Sequence, residues 1–463
     1  MEFQEADLPF QLVYNVSRLN SKRNRVIVLP TTQQSMTSGT GVVVNFQLPD
    51  RSICCLDTAT LTGQFKLTAT ASSVADASSN ITYVYPAGSD LVAQNQLLIN
   101  GGLVVSGSLD QYAHISQKMW KKLQTSEHNR NADILSRDNG TYINANVVLA
   151  SGGSVFGNVV ANTATEGVAK PWISYSEMPA CRTSKYLDTS IFGKSYLTFR
   201  PSGIQQIKGT NLESRNAKWT WDLLELSLDI LSEPPVEYVE LVKSMIASNK
   251  VFRQVFYNPV STVFGYNNNI KLNVSSACID SIMLAPVQNN GITSFYSNAS
   301  NLECPCFTFG WGANASFDSK INLNLRVGNM SIPQTGQYTY LYRLADVSKQ
   351  DLFGDSIYTQ NSLYVAGVQQ AQPFKEFYSE AGYCNQNAIY YNSLSALLQP
   401  AWAHEKQILS GYNSMGQDVI FSLTTAPDSS ITASSSTTQL FLHASTSAVA
   451  VMDSQSGSVS IVY

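Results

Sequence analysis

The chain has 463 residues, more than one ordinary domain holds. That length suits two all-β units of about 200–250 residues each. Apolar residues make up 44% and charged residues 13%, about half the usual charged share of roughly 25%. Its surface is therefore solvated largely by Ser, Thr, Asn and Gln, which lets copies pack closely without strong self-repulsion. The net charge of −4 excludes a chain built as a whole to coat nucleic acid.

The opening "MEFQEADLPF" is acidic and lacks an apolar core segment, so synthesis in the cytoplasm without a signal peptide is expected. No apolar run approaches the roughly 20 residues that span a bilayer. A basic cluster follows: Arg18, Lys22, Arg23 and Arg25, overlapping the first strand "RVIVLP". Residues 1–25 read as an N-terminal arm. Its basic group is either a solvated end or a contact on one face of an assembly, touching neighbours or an enclosed polyanion.

Period-two alternation then marks strands with one buried face. Val42, Val44, Phe46 and Leu48 alternate with polar residues, as do Leu61, Gly63, Phe65 and Leu67. A Ser/Thr-rich stretch at 69–80 reads as an exposed loop. At Asn100-Gly101-Gly102 a hairpin is expected, because Asn-Gly between apolar runs supplies the positive φ a tight turn needs. The chain then passes through Ser108, read as an N-cap, into a helix over 109–124 with Tyr112, Ile115, Met119 and Leu123 at helical spacing.

A strand at 195–200 closes the first unit, and the polar link 203–218 is the expected boundary, giving units at 26–205 and 206–463. Between Trp219 and Leu231 the apolar phase slips by one residue, from Trp219, Trp221 and Leu223 to Leu224, Leu226, Leu228 and Ile230. Such a slip predicts a β-bulge. A second helix is expected over 235–248, started by Ser232 and Pro234-Pro235, and a weaker one over 339–347. Alternating strands recur at 270–274 and 321–327, and 428–438 reads as a second exposed loop. One good helix among many strands in each half hints at a duplicated architecture.

The residues give little support to catalysis, which needs a convergent acid, base or nucleophile. His114, His128, His404 and His443 share no metal-binding or nucleophile spacing. Glu225 and Asp229 form the one carboxylate pair of glycosidase type, but two solvent-side charges on one strand are the better reading of it. Gly310-Trp311-Gly312 lacks the lysine and helix of a phosphate-binding loop. Seven scattered cysteines do not make a disulfide framework, and Cys304-Pro-Cys306 has no second pair to complete a zinc site. No cofactor, metal or catalytic residue is assigned.

Several segments together resemble the double jelly-roll major capsid proteins of eukaryotic double-stranded DNA viruses, the Polinton-like virus and virophage group in particular. "CCLDTATLTGQFKLTA" is similar to an early strand pair with an Asp before the strand. "DLVAQNQLLINGGLVVSGSLDQYAHISQKMW" is similar to the hairpin with its "ING" turn and the helix, although Gly102 stands where a polar residue is more usual. "KYLDTSIFGKSYLTFRP" resembles the close of the first jelly roll, and "WTWDLLELSLDILSEPPVEYVELVKSMIASN" the opening strand and helix of the second. "FTFGWGANA" followed by "KINLNLRVGN" continues the pattern.

The resemblance implies an all-β fold of two eight-stranded antiparallel jelly rolls side by side, with a few short helices in the loops. It implies a homotrimeric, pseudo-hexagonal capsomer, many of which tile an icosahedral shell around DNA. A single jelly-roll penton protein and minor capsid proteins are the implied partners, DNA is touched non-specifically at most, and no reaction is catalysed. A carbohydrate-binding or adhesive β-sandwich, using its 23 Tyr and 6 Trp as stacking platforms, is the alternative.

Overall fold

The computed structural model describes residues 22–68, 81–123 (except 85 and 87), 156–159, 172–174, 178, 181, 185–207, 216–288 (except 235 and 266–268), 321–332, 364–365, 368–369, 390–394, 409, 411–425 and 438–463. Eight of the strands build a first sandwich: β1 (Lys22–Val28), β2 (Val44–Gln47), β3 (Ile53–Thr68), β4 (Val92–Ile99), β5 (Leu103–Ser106), β6 (Tyr186–Asp188), β7 (Tyr196–Pro201) and β8 (Lys218–Glu233). They pair antiparallel in the orders β1-β8-β3-β6 and β2-β7-β4-β5. Eight more build a second: β9 (Val251–Gly265), β10 (Asn269–Leu272), β11 (Ile279–Gln288), β12 (Ile321–Val327), β13 (Met330–Ile332), β14 (Tyr390–Ser393), β15 (Val419–Thr425) and β16 (Thr438–Asp453). Their orders are β9-β16-β11-β14 and β10-β15-β12-β13. Counted from the first strand of each set, the wiring is identical: first-eighth-third-sixth over second-seventh-fourth-fifth. Each set is an eight-stranded jelly roll, and the chain is a double jelly roll.

β8 corrects the sequence reading. Residues 218–233 were expected to open the second roll, yet this strand hydrogen-bonds between β1 and β3 and is the eighth strand of the first. The expected arm also ends earlier, since Lys22 already pairs with Glu233. The expected "early strand pair" is one strand, β3, whose register against β8 jumps from Thr60↔Ser227 to Cys55↔Asp229. The intervening residues bulge, and Thr58 Oγ1 accepts from Asp229 N at 2.8 Å.

The predicted bulge in β8 is present between Asp222 and Glu225. Leu223 takes φ +51° there, and Leu224 N donates to Gln34 O at 3.1 Å. The extra residue keeps both halves of the strand facing one core, so that Trp219 and Trp221 before it and Leu224, Leu226 and Leu228 after it are all buried. A left-handed Leu costs about 1–2 kcal/mol. Turning three leucines outward would cost roughly 1.5–3 kcal/mol each, so the bulge wins. The same core holds Phe65 and an edge-to-face pair, Phe46 and Phe199, with ring centroids 5.8 Å apart.

The hairpin turns at Asn100 (φ +49°) and Gly101 (φ +78°) as expected. The helix after it, α1 (Ala113–Leu123), starts later than its spacing suggested. Asp110, not Ser108, supplies the side-chain oxygen near its start, accepting from Tyr112 N at 3.2 Å. A second helix, α2 (Val236–Ala247), links β8 to β9 close to its expected position. The helix expected at 339–347 and the loops expected at 69–80 and 428–438 lie outside the described residues, except for Thr438, which begins β16.

The rolls are not independent beads. β9 and β16 pair over fifteen residues, from Val251↔Asp453 to Gly265↔Gln439. Alternate residues of that ladder share a face, and one face serves both cores. Phe256 and Ala450 join the first core, whereas Val260, Leu442 and Ala444 join the second. The last strand, β17 (Val459–Val462), pairs with β16, and Tyr463 OH donates to Val104 O of the first roll at 2.7 Å.

Candidate assembly surfaces

For a chain of this architecture the surfaces that matter are where sandwich meets sandwich. The first is internal. Turned away from the second core, the β9–β16 ladder presents Tyr257, Ser261, His443 and Ser445, all buried. Against them the first roll sets the strand end of β5, the segment around Asp110 and helix α1. Ser261 Oγ donates to Asp110 Oδ1 at 2.5 Å. His443 has Ser116 Oγ 3.0 Å from Nδ1 and the Tyr257 hydroxyl 2.8 Å from Nε2. Ser106 Oγ donates to the Tyr257 carbonyl, and the Tyr112 ring stands edge-on to Phe441 at 6.0 Å. From β6, the carbonyl of Tyr186 accepts from Gln254 Nε2 at 2.6 Å. The edge formed by β5 and β6 therefore packs on the β9–β16 ladder, through polar groups that find their partners across the seam.

His114 and His443 are both buried. Sequence reasoning left each a packing or surface role; the missing signal was long-range, since His443 meets Ser116 across 327 residues. His128 and His404, together with Gly310-Trp311-Gly312 and Cys304-Pro-Cys306, lie outside the described residues. Among the described residues no group of three or more His, Cys, Asp or Glu could hold a metal ion, and no helix is long and apolar enough to cross a membrane.

The second surface is the β1–β8 ladder of the first roll. Val26, Val28, Leu226 and Leu228 face its core, so Arg25, Ile27, Ser227 and Asp229 face away. Of the basic cluster, Arg18 lies outside the described residues and Lys22 begins β1. Arg23 Nε and Arg25 Nη1 converge on Asp229 at 2.5 and 3.2 Å, and Arg25 Nη2 reaches Ser227 Oγ at 2.7 Å. Asp229 is thus engaged by two guanidiniums, while Glu225 is exposed one bulge away. The carboxylate pair that could suggest a glycosidase is an arginine anchor and a surface charge. With both guanidiniums about half exposed to solvent, these ion pairs contribute about 0–1 kcal/mol. Asp229→Ala should accordingly lower stability by less than about 1 kcal/mol, checked by urea denaturation; a loss above about 3 kcal/mol would contradict this account of the pair.

Helix α2 is held by Tyr238, whose hydroxyl donates to Asp188 Oδ2 at 2.6 Å, and Asp188 also accepts from Ser190 N at 2.8 Å to cap a short helix at Thr189–Phe192. The rest of α2 stands out from the sandwich, with Val236, Leu241 and Ile246 exposed. Trp219 and Trp221, by contrast, are wholly buried, which removes two of the platforms a sugar-binding sandwich would use.

The described thiols belong to the interior: Cys54, Cys55, Cys181 and Cys278 are reduced and buried. Burial pushes Cys54 up to about 11 and Cys181 up to about 12. A thiol with a raised folded value favours the fold while it stays protonated. Its contribution is therefore intact below the ordinary thiol value of 9.0 and is lost as pH rises through about 11. At pH 8 iodoacetamide should leave Cys54 and Cys181 unmodified in the native protein and label both in urea, as read by peptide mass spectrometry. Rapid native labelling of either would contradict the burial.

No known family profile matches the chain, and no curated protein matches it. Solved structures do. The chain is similar to one in the cryo-EM structure of the Sputnik virophage, at 12% identity and a TM-score of 0.54, covering 95% of this chain and 88% of that one. It is also similar to PBCV-1 VP54 as fitted into a cryo-EM reconstruction of Sputnik, at 10% identity and a TM-score of 0.51, covering 96% of this chain and 98% of that one. This is the double jelly-roll fold of viral major capsid proteins. At such identities the likeness is one of fold.

Proposed function

We propose that this chain is the major building block of an icosahedral virus shell, and that its activity is association. Three copies make a pseudo-hexagonal capsomer, and many capsomers tile a shell around a DNA genome. A separate penton protein and minor capsid proteins complete it, and DNA is touched non-specifically at most. The chain is made in the cytoplasm of an infected cell, ends in the virion and catalyses no reaction. The observation that carries this reading is the duplicated wiring: two jelly rolls with one strand order, fused through a shared ladder, give three chains six equivalent sandwiches. The residue division that goes with it runs from β1 to Glu233 for the first roll and from Val251 for the second. Subunit interfaces of roughly 2,000 Å² or more would hold such a trimer.

The native mass of the purified chain, measured by light scattering, tests this. The expected species is three times 50.6 kDa, about 152 kDa. A 50.6 kDa monomer at every concentration and salt condition would count against it.

A further inference from the structure

We infer that His443 is a pH-sensitive latch between the two rolls. Carrying a proton on both ring nitrogens, it ties helix α1 of the first roll to the β9–β16 ladder of the second, and losing one proton loosens that joint. This device goes beyond the shell-building reading and sits within a single chain.

His443 is 1% exposed, on the ladder face that the first roll covers. Ser116 Oγ of α1 stands 3.0 Å from its Nδ1, and the Tyr257 hydroxyl of β9 stands 2.8 Å from its Nε2. Each hydroxyl has another place to send its own hydrogen. Ser116 Oγ lies 3.2 Å from the Tyr112 carbonyl and 3.5 Å from Asp110 Oδ1, and the Tyr257 hydroxyl lies 3.3 Å from Ser445 Oγ. An imidazolium donates at both nitrogens, so both hydroxyls accept from the ring and keep their outward bonds. A neutral ring accepts at one nitrogen, and the hydroxyl that serves it gives up its outward bond. The protonated ring therefore supports one more hydrogen bond across the seam.

Charge acts in the same direction. Asp110 is wholly buried, and its Oδ1 accepts from Ser261 Oγ at 2.5 Å, Tyr112 N at 3.2 Å and Ser116 Oγ at 3.5 Å. Convergent donors favour the carboxylate over the acid. Ser261 is the cross-strand neighbour of His443, and Ser116 touches its ring, so the carboxylate is one hydroxyl away by two routes. A negative charge at that range favours the imidazolium. Burial opposes it, but the seam is lined with hydroxyls, Ser106, Ser116, Ser261 and Ser445 among them, and is not an apolar pocket. The other titratable groups packed here, among the described residues, are Tyr112 and His114 from α1, Tyr257 from β9, and Asp280 of β11 with Cys278 beside it. Asp280 Oδ2 accepts from Ser447 Oγ at 2.7 Å, farther along the ladder. A proton held more tightly in the folded chain stabilises it below the ordinary histidine midpoint of about 6.5, and that contribution is lost as pH rises through the folded midpoint.

The test uses the full chain. Deuterium exchange at the imidazole C2 carbon, read by peptide mass spectrometry on native protein between about pH 5 and 9, follows the proton of each histidine. The His443 midpoint should lie above about 6.5, and Asp110→Asn should weaken its proton affinity at least about tenfold. At fixed protein concentration the urea-unfolding constant should rise with pH, by up to about tenfold per unit above about 6.5. His443→Gln, which cannot titrate, should flatten that rise. A His443 midpoint below about 6.5, or equal pH dependence in wild type and His443→Gln, would overturn the inference. Should either variant fail to fold, the wild-type midpoint decides alone. These readouts are intramolecular, so their failure leaves the shell-building reading standing, and native mass tests that reading separately.

Discussion

Phe256→Ala should destabilise the whole molecule by about 3–5 kcal/mol, the range for emptying a fully buried phenylalanine site. Phe256 is wholly buried and belongs by sequence to the second roll, yet it packs in the first core with Ala450. Four residues on, Val260 of the same strand is in the second core. A cavity at Phe256 therefore weakens the first core, and the fifteen-residue ladder passes the loss to the second. Thermal unfolding followed by near-ultraviolet and far-ultraviolet circular dichroism should show one transition, shifted downward in both signals. Two separate transitions, with one unmoved, would show that the shared ladder does not couple the rolls.

The second large effect is at Gly107. Its φ is +79°, and a Cβ built there would lie 1.9 Å from the carbonyl oxygen of Asn95. Backbone cannot retreat as a side-chain tip can, so Gly107→Ala must break the local pairing of β4 or displace the path from β5 to α1. That path carries Ser106 and Asp110 into the seam between the rolls. The expected loss exceeds about 4 kcal/mol, seen as insoluble or unfolded protein on expression. Gly101 provides the comparison. It has almost the same φ, +78°, but open space around the missing Cβ, so Gly101→Ala should cost only about 1–2 kcal/mol. Equal effects at both sites would mean that φ alone matters and that the close approach to Asn95 does not.

Much of this fold was legible in the residues. The bulge at Leu223 could be read because a phase slip of one residue is visible wherever one strand face is buried. The hairpin at Asn100 and helix α2 were readable for the same reason: their determinants are local. What was not legible is long-range. Nothing in "WTWDLLELSLDIL" says whether the strand closes the first roll or opens the second, because both positions want the same alternation. Pairing with β1 and β3 settles it. The start of α1 was misplaced because Ser108 and Asp110 are both good caps, and Ser108 Oγ instead faces Asn258 Oδ1 at 3.5 Å across the seam.

The candidate surfaces divide the same way. Arg23 and Arg25 were recognisable as a basic cluster, but their common anchor, Asp229, lies about two hundred residues away. The seam's His443, Ser116, Tyr257 and Asp110 carry no spacing signal. They meet only because two jelly rolls of one wiring are fused at a ladder that serves both.

The most direct measurement is an electron-microscopy reconstruction of the purified oligomer. It should show three copies arranged as six jelly rolls in a closed ring with a pseudo-hexagonal outline. A reconstruction in which the chains associate without forming such a ring, or in which the two rolls of one chain lie apart, would contradict it.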